Sequence, residues 1–453
     1  MSIRTIITCT VLGLWAVSVH ANTLFDELAY TYATSPALDA QRAYLRAADE
    51  RVSQAQAGWR PTVAAEGNIA HIGQKYKNYP EVDKFDYDNT NYDAGLVVSQ
   101  QIFSGFQTVS NVDYAKTIVL QERENMQAKE QDVLLAAAVA YADVIRARAL
   151  LDLQVNQEQV LARHLKSYQK RFKVGDLTRT DVAQAEARLS GAKTARTVAQ
   201  GDLDSTIAVY ENVVGRKPDN IDKIDHLDDL LPKDFEAAVQ LMEENNPTLK
   251  AARHAEQAAK YQITRQESDL LPKVDVSAGA GYQWGQPLPA LDDKYDGQYW
   301  RVGARLSVPL YQGGGEYARV REAKQLANQA SILLDQTKRQ LLQDTTMGWE
   351  LWQSSKASIV SIKAQIKASK MALDGVIKEA NVGSRTVLDV LDAEQEYLNY
   401  RVDLVIAERN EMVAAMSLLA STGQMTATGL GLKVDVYDPQ EHYNNVHSKW
   451  IGL

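Results

Sequence analysis

Two acidic residues lie three positions apart in the stretch VGSRTVLDVLDAEQ, residues 382–395. Residues three apart share one face of an α-helix, so Asp389 and Asp392 are expected to point in the same direction. Repeated around a symmetry axis, such carboxylates would form stacked rings that attract cations, repel anions and raise one another's pKa. Arg385, one helical turn earlier, can form a bidentate ion pair with a carboxylate such as Asp181.

A second stretch, VGDLTRTDVAQAEA at 174–187, repeats this pattern. Each copy contains a glycine, Gly175 or Gly383, and glycine commonly ends a helix. We therefore expect a turn between two helices at each glycine, with Thr180 and Asp181 near the start of the next helix in the first copy. A simpler explanation stays open, because the helix dipole favours Asp at an N-terminus whatever its function.

The repetition extends over most of the chain. SPALDAQRAYLRAADERVSQAQAGWRP (35–61) resembles NPTLKAARHAEQAAKYQITRQESDLLP (246–272), and FSGFQTVSNVDYAK (103–116) resembles YQGGGEYARVREAK (311–324). Self-similarity over such distances indicates one structural plan used twice. Each half is predicted to run helix, strand, strand, very long helix, helix.

The N-terminus has the pattern of a secretory signal peptide. Arg4 gives a basic start, an apolar run follows, and Val19-His20-Ala21 is a small-x-small cleavage pattern. The single cysteine, Cys9, lies inside this segment, so the mature chain is expected to lack disulfides and thiolate metal sites. Removing the segment takes the net charge from -9 to -10, because it contains Arg4 and no acid. This acidic balance argues against a nucleic-acid partner.

The repeats and the segments around them predict a domain organisation. It comprises a signal peptide (1–21), a first repeat (22–213), an irregular segment (214–234), a second repeat (235–420) and an irregular C-terminal segment (421–453).

Alternating apolar and polar residues predict two strands in each half, most clearly at 272–284 and 300–310 and more weakly near 63–69 and 92–99. Runs of about ten residues match a tilted strand crossing a bilayer, although an ordinary half-buried sheet has the same alternation. Four strands cannot close a membrane barrel, which needs at least about eight in one chain. Since an open edge in lipid leaves backbone groups unpaired, we expect several protomers to share one barrel.

The helices form the larger part of the chain. The long helices predicted from Gly105 to Lys173 and from Glu316 to Val382 would each be roughly 100 Å long at ~1.5 Å per residue. In the last helix a heptad repeat predicts left-handed supercoiling; it comprises Leu391, Leu398, Val405, Met412 and Leu419. Gln395 and Arg409 fall between these positions and indicate a seam against water or a polar lumen.

With the signal peptide and the duplicated plan, three motifs resemble the TolC family of outer-membrane channels: PLYQGGG at 309–315, the VG…TDV phrase, and VGSRTVLDVLDAE. The resemblance implies a mainly α fold with a small β part. Three protomers would each give four strands to a shared 12-stranded membrane β-barrel, continuous with a long periplasmic α-helical barrel. Segments 214–234 and 421–453 would form an equatorial belt. Such proteins are exit ducts of tripartite efflux pumps and type I secretion systems.

The resemblance also implies partners and site residues. The partners would be two further copies of the chain, a periplasmic adaptor, an inner-membrane transporter of the ABC or RND type and outer-membrane lipid; no cofactor is implied. Residues matching Thr180, Asp181 and Arg385 hold the closed gate, and those matching Asp389 and Asp392 form acidic rings at a constriction. Gly175 and Gly383 would lie at the inner tip. The family often has Tyr where this chain has Ala380, so one gate hydrogen bond would be absent.

Other signals give little support to an enzyme. Gly313-Gly314-Gly315 lacks the Lys-Ser/Thr of a phosphate loop, and His442 and His447 lack a metal-binding motif around them. We therefore expect no catalysis, no metal site and no cofactor. A non-channel periplasmic coiled-coil adaptor or surface adhesion protein stays as an alternative, and the choice between drug efflux and protein secretion stays open.

Overall fold

The computed structural model describes residues 23–79, 82–219, 221, 227–288 and 293–452, so the expected signal peptide lies outside the described residues. The described chain is mainly helical with one small sheet. In chain order it forms α1 (Leu24–Thr34), α2 (Pro36–Gln56), β1 (Thr62–Tyr79), β2 (Val82–Phe103), α3 (Gln107–Lys173), α4 (Arg179–Val214), α5 (Phe235–Asn245), α6 (Pro247–Glu267), β3 (Lys273–Leu288), β4 (Asp293–Ser307), α7 (Gly315–Asn381), α8 (Val387–Ser421) and α9 (Glu441–Val446).

The two halves of the chain contain the same order of elements. Each has two short helices, two strands, a helix of 67 residues and a helix of 35 or 36 residues. A proline at the first position of α2 and of α6 presets the backbone for the helix. The 67-residue helices are each roughly 100 Å long. Among the described residues, no helix combines the length and hydropathy needed to span a membrane.

The four strands form one antiparallel sheet in the order β1-β2-β3-β4. Pairing of β2 with β3 joins the two halves of the chain. The register places Val63, Val98, Ala278 and Val302 in one row across the sheet. Directly paired residues point to the same face, and Val63 and Val302 are 67% and 68% exposed, so one face of the sheet presents apolar side chains to the surroundings. The predicted alternation is therefore present in the structure.

The strands are longer than the predicted ten residues. They contain 18, 22, 16 and 15 residues, because both hairpins continue beyond the segments in which apolar and polar residues alternate. In the first hairpin the pairing runs as far as Tyr79 and Val82. Antiparallel pairing satisfies the backbone groups whatever the polarity of the side chains, so the end of the alternation does not end the strand.

The helices pack as two long hairpins. α3 lies against α4, α7 lies against α8, and α6 lies against both α3 and α7. The heptad residues Leu391, Leu398 and Leu419 of α8 are buried, as a packed seam requires. Arg409 was expected to mark a seam against water or a polar lumen. It is partly exposed and forms a bidentate ion pair with Asp143 of α3, with contacts of 2.9 and 3.2 Å.

The main hydrophobic core joins α1, α3, α8 and the segment after α8, where Leu28, Tyr141 and Met416 are fully buried. The C-terminal segment then lies along α1 and α2. Ala427 N donates a hydrogen bond to the buried Glu130 carboxylate at 2.6 Å. Further along, Arg60, which precedes β1, donates to the carbonyl oxygen of Lys449 at 2.6 Å. The segment thus connects the core to the base of the sheet.

Candidate functional site at the helical tip

The two glycines of the repeated phrase lie in tight turns between long helices. Gly175 has φ of +81° and Gly383 has φ of +83°, the left-handed region in which glycine is favoured. Beyond each helix end a backbone N–H reaches back five residues: Asp176 N donates to Arg171 O at 2.9 Å, and Ser384 N donates to Glu379 O at 3.0 Å. This is the pattern of a Schellman C-cap. A Cβ at either glycine would meet nothing within 4 Å, so the backbone conformation is the requirement there.

The helix after each turn begins with the same capping box. Thr178 caps α4, and the Asp181 carboxylate accepts hydrogen bonds from Thr178 N at 2.9 Å and Thr178 Oγ1 at 2.7 Å. Thr386 caps α8, and Asp389 accepts from Thr386 N at 2.9 Å and Oγ1 at 2.8 Å. In both boxes the Asp backbone N–H donates to the threonine hydroxyl at 3.2 Å.

These boxes give a local reason for two of the repeated acids. A threonine followed three residues later by an acid is a known signature of a helix start. This signal is present in TRTD and TVLD and explains the acids locally, in addition to the helix dipole that was expected to favour them. Thr180, the third residue expected at the gate, is exposed one position before Asp181.

The hydrogen bonds from Thr386 stabilise the ionised form of Asp389. They hold the pKa of this carboxyl below its usual value, with the backbone N–H as the largest cause. Within one chain the causes of this shift lie in the capping box and at Arg385, not at Asp392. The mutual effect of acidic rings stays a prediction for the assembled trimer.

Asp392 has a different partner. Arg188 of α4 donates from Nη2 to Asp392 Oδ1 at 2.6 Å, and both side chains are partly exposed. The ion pair joins the hairpin of α3 and α4 to the hairpin of α7 and α8. The two acids of the VLDVLD stretch therefore make different contacts within the chain: one caps a helix and one links two hairpins.

Arg385 also differs from the expectation. Its Nε donates to Glu379 Oε2 at 3.0 Å, in the last turn of α7, rather than to Asp181 of the same chain. The short turn through Gly383 places the arginine beside the helix that precedes it. Arg385 and Asp181 nevertheless line one cavity of about 330 Å³, together with Ala380. The structure therefore brings the expected gate residues to one place without an ion pair between them.

A small hydrophobic cluster supports the tip. Leu161 and Tyr168 of α3, Ala185 of α4, and Val387 and Leu391 of α8 are buried together. The charged side chains described above surround this cluster. Their positions are therefore set by packed helices rather than by a loop.

The triglycine and the two histidines that gave little support to an enzyme have structural roles. Gly313 and Gly314 have positive φ and lead from β4 into α7, as a strand-to-helix turn requires. His442 Nδ1 lies 3.1 Å from the buried Asp49 carboxylate, and burial raises the pKa of that carboxyl. The His447 ring stacks on Tyr443 with ring centres 5.0 Å apart.

Known proteins resemble this chain along most of its length. The outer membrane efflux protein BepC of Brucella suis is 34% identical over 433 residues, covering 96% of this chain and 92% of BepC. The outer membrane protein TolC of Escherichia coli is 25% identical and covers 76% of this chain and 74% of TolC. The alkaline protease secretion protein AprF of Pseudomonas aeruginosa is 25% identical and covers 77% of this chain and 73% of AprF.

Solved structures share the fold at lower identity. CusC superimposes with a TM-score of 0.79 at 16% identity, over 89% of this chain and 92% of CusC. The outer membrane protein VceC of Vibrio cholerae gives 0.76 at 21% identity, over 88% of this chain and 96% of VceC. The predicted fold class, mainly α with a small β part as in TolC, is confirmed.

One family covers both halves of the chain. The outer membrane efflux protein family matches residues 31–211 and again residues 238–424. With the relatives above, this match indicates a location in the outer membrane. The chain belongs to the outer membrane efflux protein family.

Proposed function

We propose that three copies of this chain form a passive exit duct that crosses the outer membrane and extends into the periplasm. Each copy gives its four strands to one barrel, and the long helices continue as a hollow tube. In this proposal the chain is exported by its signal peptide, the repeats 22–213 and 235–420 build the wall, and segments 214–234 and 421–453 form a belt around the tube.

One observation carries the proposal: the sheet has an apolar face and two open edges. Among the described residues β1 pairs only with β2, and β4 pairs only with β3. In lipid each unpaired backbone group costs several kcal/mol, so such edges must be covered. Twelve strands from three copies exceed the minimum of about eight that closes a membrane barrel. The copy number follows from the family resemblance.

The helical tip is the proposed inner gate. Asp389 and Asp392 would form acidic rings around the threefold axis, and Arg385 would reach Thr180 and Asp181 of a neighbouring copy. Exposed ion pairs are each worth ~1 kcal/mol or less, so closure needs several acting together. A periplasmic adaptor docking beside the turns at Gly175 and Gly383 could then open the gate. Energy would come from an inner-membrane transporter, because the duct itself only conducts.

Two assays test the proposal. Purified protein in planar lipid bilayers is expected to form ion channels; a protein that inserts without conductance, or stays out of lipid, would support the adaptor or adhesion alternative instead. Deletion of the gene, with drug susceptibility and secreted proteins measured in parallel, distinguishes the two export roles. The relatives named for efflux and for protease secretion leave both roles open for this chain. Failure of both phenotypes to change would contradict the duct.

A further inference from the structure

We propose that Arg188 sets the ion selectivity of the inner constriction by neutralising Asp392. This inference rests on the proposed function, in which Asp389 and Asp392 line a narrow water-filled passage. Arg188 belongs to no motif in the sequence, and it lies 204 residues from its partner. Its role follows from the ion pair between α4 and α8.

The geometry favours a persistent pair. Arg188 Nη2 and Asp392 Oδ1 are 2.6 Å apart, so the two charged groups are in direct hydrogen-bond contact. Both residues lie within three turns of a capped helix start, and the cluster of Leu161, Ala185 and Leu391 packs the same three helices together. Both side chains remain partly exposed, so the pair adds little to the stability of the fold. Its larger effect is on the local charge.

The two acids therefore contribute unequally. Asp389 is kept ionised mainly by its two hydrogen bonds from Thr386, with a smaller contribution from the Arg385 guanidinium, whose charge is already offset by Glu379. Asp392 is compensated by Arg188. Around a threefold axis the six carboxylates and three Arg188 side chains would together carry three negative charges. The six carboxylates alone would carry six. Rings of uncompensated charge determine which ions pass a constriction, so Arg188 would limit the preference for cations.

Two other arginines of the tip are paired with other carboxylates. Arg385 pairs with Glu379 at 3.0 Å, and Arg171 pairs with Asp176 at 2.6 Å. Each of these pairs is neutral within its own hairpin. Of these three described arginines, Arg188 is the one that forms an ion pair with the acidic stretch of α8.

The test is the reversal potential of single channels in planar bilayers with a KCl gradient across the membrane. Arg188→Gln is expected to raise the ratio of potassium to chloride permeability about threefold or more, since uncompensated charge at short range dominates selectivity. Arg188→Lys should keep the wild-type ratio. Arg188→Gln combined with Asp392→Asn should return the ratio toward wild type, because both charges are removed. Arg196→Gln is the matched control, because Arg196 pairs with Glu158 at 3.1 Å further along the same hairpin.

The outcomes separate this inference from the proposed function. If the wild-type protein forms no channel, the proposed function fails. If Asp392→Asn lowers the permeability ratio while Arg188→Gln leaves it unchanged, the channel and its acidic ring stand and the role of Arg188 is wrong. If Arg188→Gln and Arg196→Gln change the ratio equally, the effect is not local and the inference also fails. The mass of each variant in detergent shows whether it assembles as the wild type does.

Discussion

Arg385 and Glu379 form an ion pair at 3.0 Å that ties the turn at Gly383 to the last turn of α7. An arginine that is to bridge to a neighbouring copy must first leave this carboxylate. The two carboxylates, Glu379 in the same chain and Asp181 in the next, would therefore compete for one guanidinium. The resting state of the gate would depend on both.

This competition predicts opposite effects of two substitutions. Arg385→Ser should raise the resting conductance of single channels, because the bridging cation is lost. Glu379→Gln should lower it, because Arg385 becomes free to pair with Asp181 of the neighbouring copy. Asp344→Asn, on the same helix but far from the turn, is the control. Equal resting conductance in all three variants would show that Arg385 does not hold the gate.

The acidic rings are tested by block with trivalent cations. Asp389→Ala combined with Asp392→Ala should leave assembly intact and abolish block of the single-channel current, because the carboxylates that would bind the cation are gone. The measurement is the current against blocker concentration, with the wild-type channel as reference. Block that is unchanged in the double variant would remove these acids from the conduction path.

The capping box at the start of α8 predicts a local effect on stability. Thr386→Ala should destabilise the first turn of α8 by about 1 kcal/mol, whereas Thr386→Ser should have little effect. Hydrogen exchange of the amides in this turn measures the difference. Equal exchange in the two variants would mean that the cap contributes nothing.

The same box predicts a pH dependence. Because the hydrogen bonds from Thr386 lower the pKa of Asp389, the folded state holds this carboxylate ionised more strongly than the unfolded chain does. The stabilisation is therefore fully present above the unfolded pKa of about 3.9, and it is lost as the pH falls through the lowered value. The measurement is the hydrogen exchange of the amides in the first turn of α8 as a function of pH, and Asp389→Asn should remove its dependence on the acidic transition. If Asp389→Asn leaves the pH dependence unchanged, another group is its cause.

Ala380 lines the cavity of about 330 Å³ that also contacts Asp181 and Arg385. Ala380→Tyr should place a phenol in this space, donate a hydrogen bond to Asp181 and lower the resting conductance. Ala380→Phe fills the same space without the hydroxyl and should lower the conductance less. If the two aromatic variants behave alike, the hydroxyl makes no gate contact, and filling of the cavity alone is the cause.

The sequence predicted the parts of the fold that follow a local rule. Alternation located the four strands, and glycine in a repeated phrase located both turns. It did not give the strand lengths, because the tyrosine-rich hairpin up to Tyr79 is held by backbone pairing, which has no side-chain pattern. The exposed apolar face of the sheet could be read from the alternation, whereas the strand order β1-β2-β3-β4 required the structure.

The charged contacts of the site were harder to predict. The capping boxes were readable as Thr-x-x-Asp, since the cap and the acid lie in one turn. The pair of Arg188 and Asp392 could not be read in this way, because its members are 204 residues apart and meet only through the packing of α3, α4 and α8. The partner of Arg409 could not be read for the same reason: a heptad pattern shows which face is packed, but not which helix supplies the counter-ion.

The central claim is that three copies close one barrel by pairing β1 of each copy with β4 of the next. In a single chain these strands are three strand spacings apart, roughly 14 Å, while a disulfide requires Cα atoms within ~7 Å. A cysteine at Ala65 with a second at Val302, Ala304 or Leu306 can therefore cross-link only between chains. No other thiol is expected to compete in the mature chain, since Cys9 lies in the expected signal peptide.

The deciding measurement is the size of the cross-linked species after mild oxidation of outer-membrane fractions, separated under denaturing, non-reducing conditions. The three alternative cysteine positions on β4 test different registers of pairing between β1 of one copy and β4 of the next. Ala65→Cys alone is the control that should stay monomeric. A ladder that reaches three chains and stops there is the predicted result, because a closed ring has no free edge. A ladder that continues beyond three chains, or no cross-link at any β4 position, would contradict the shared barrel.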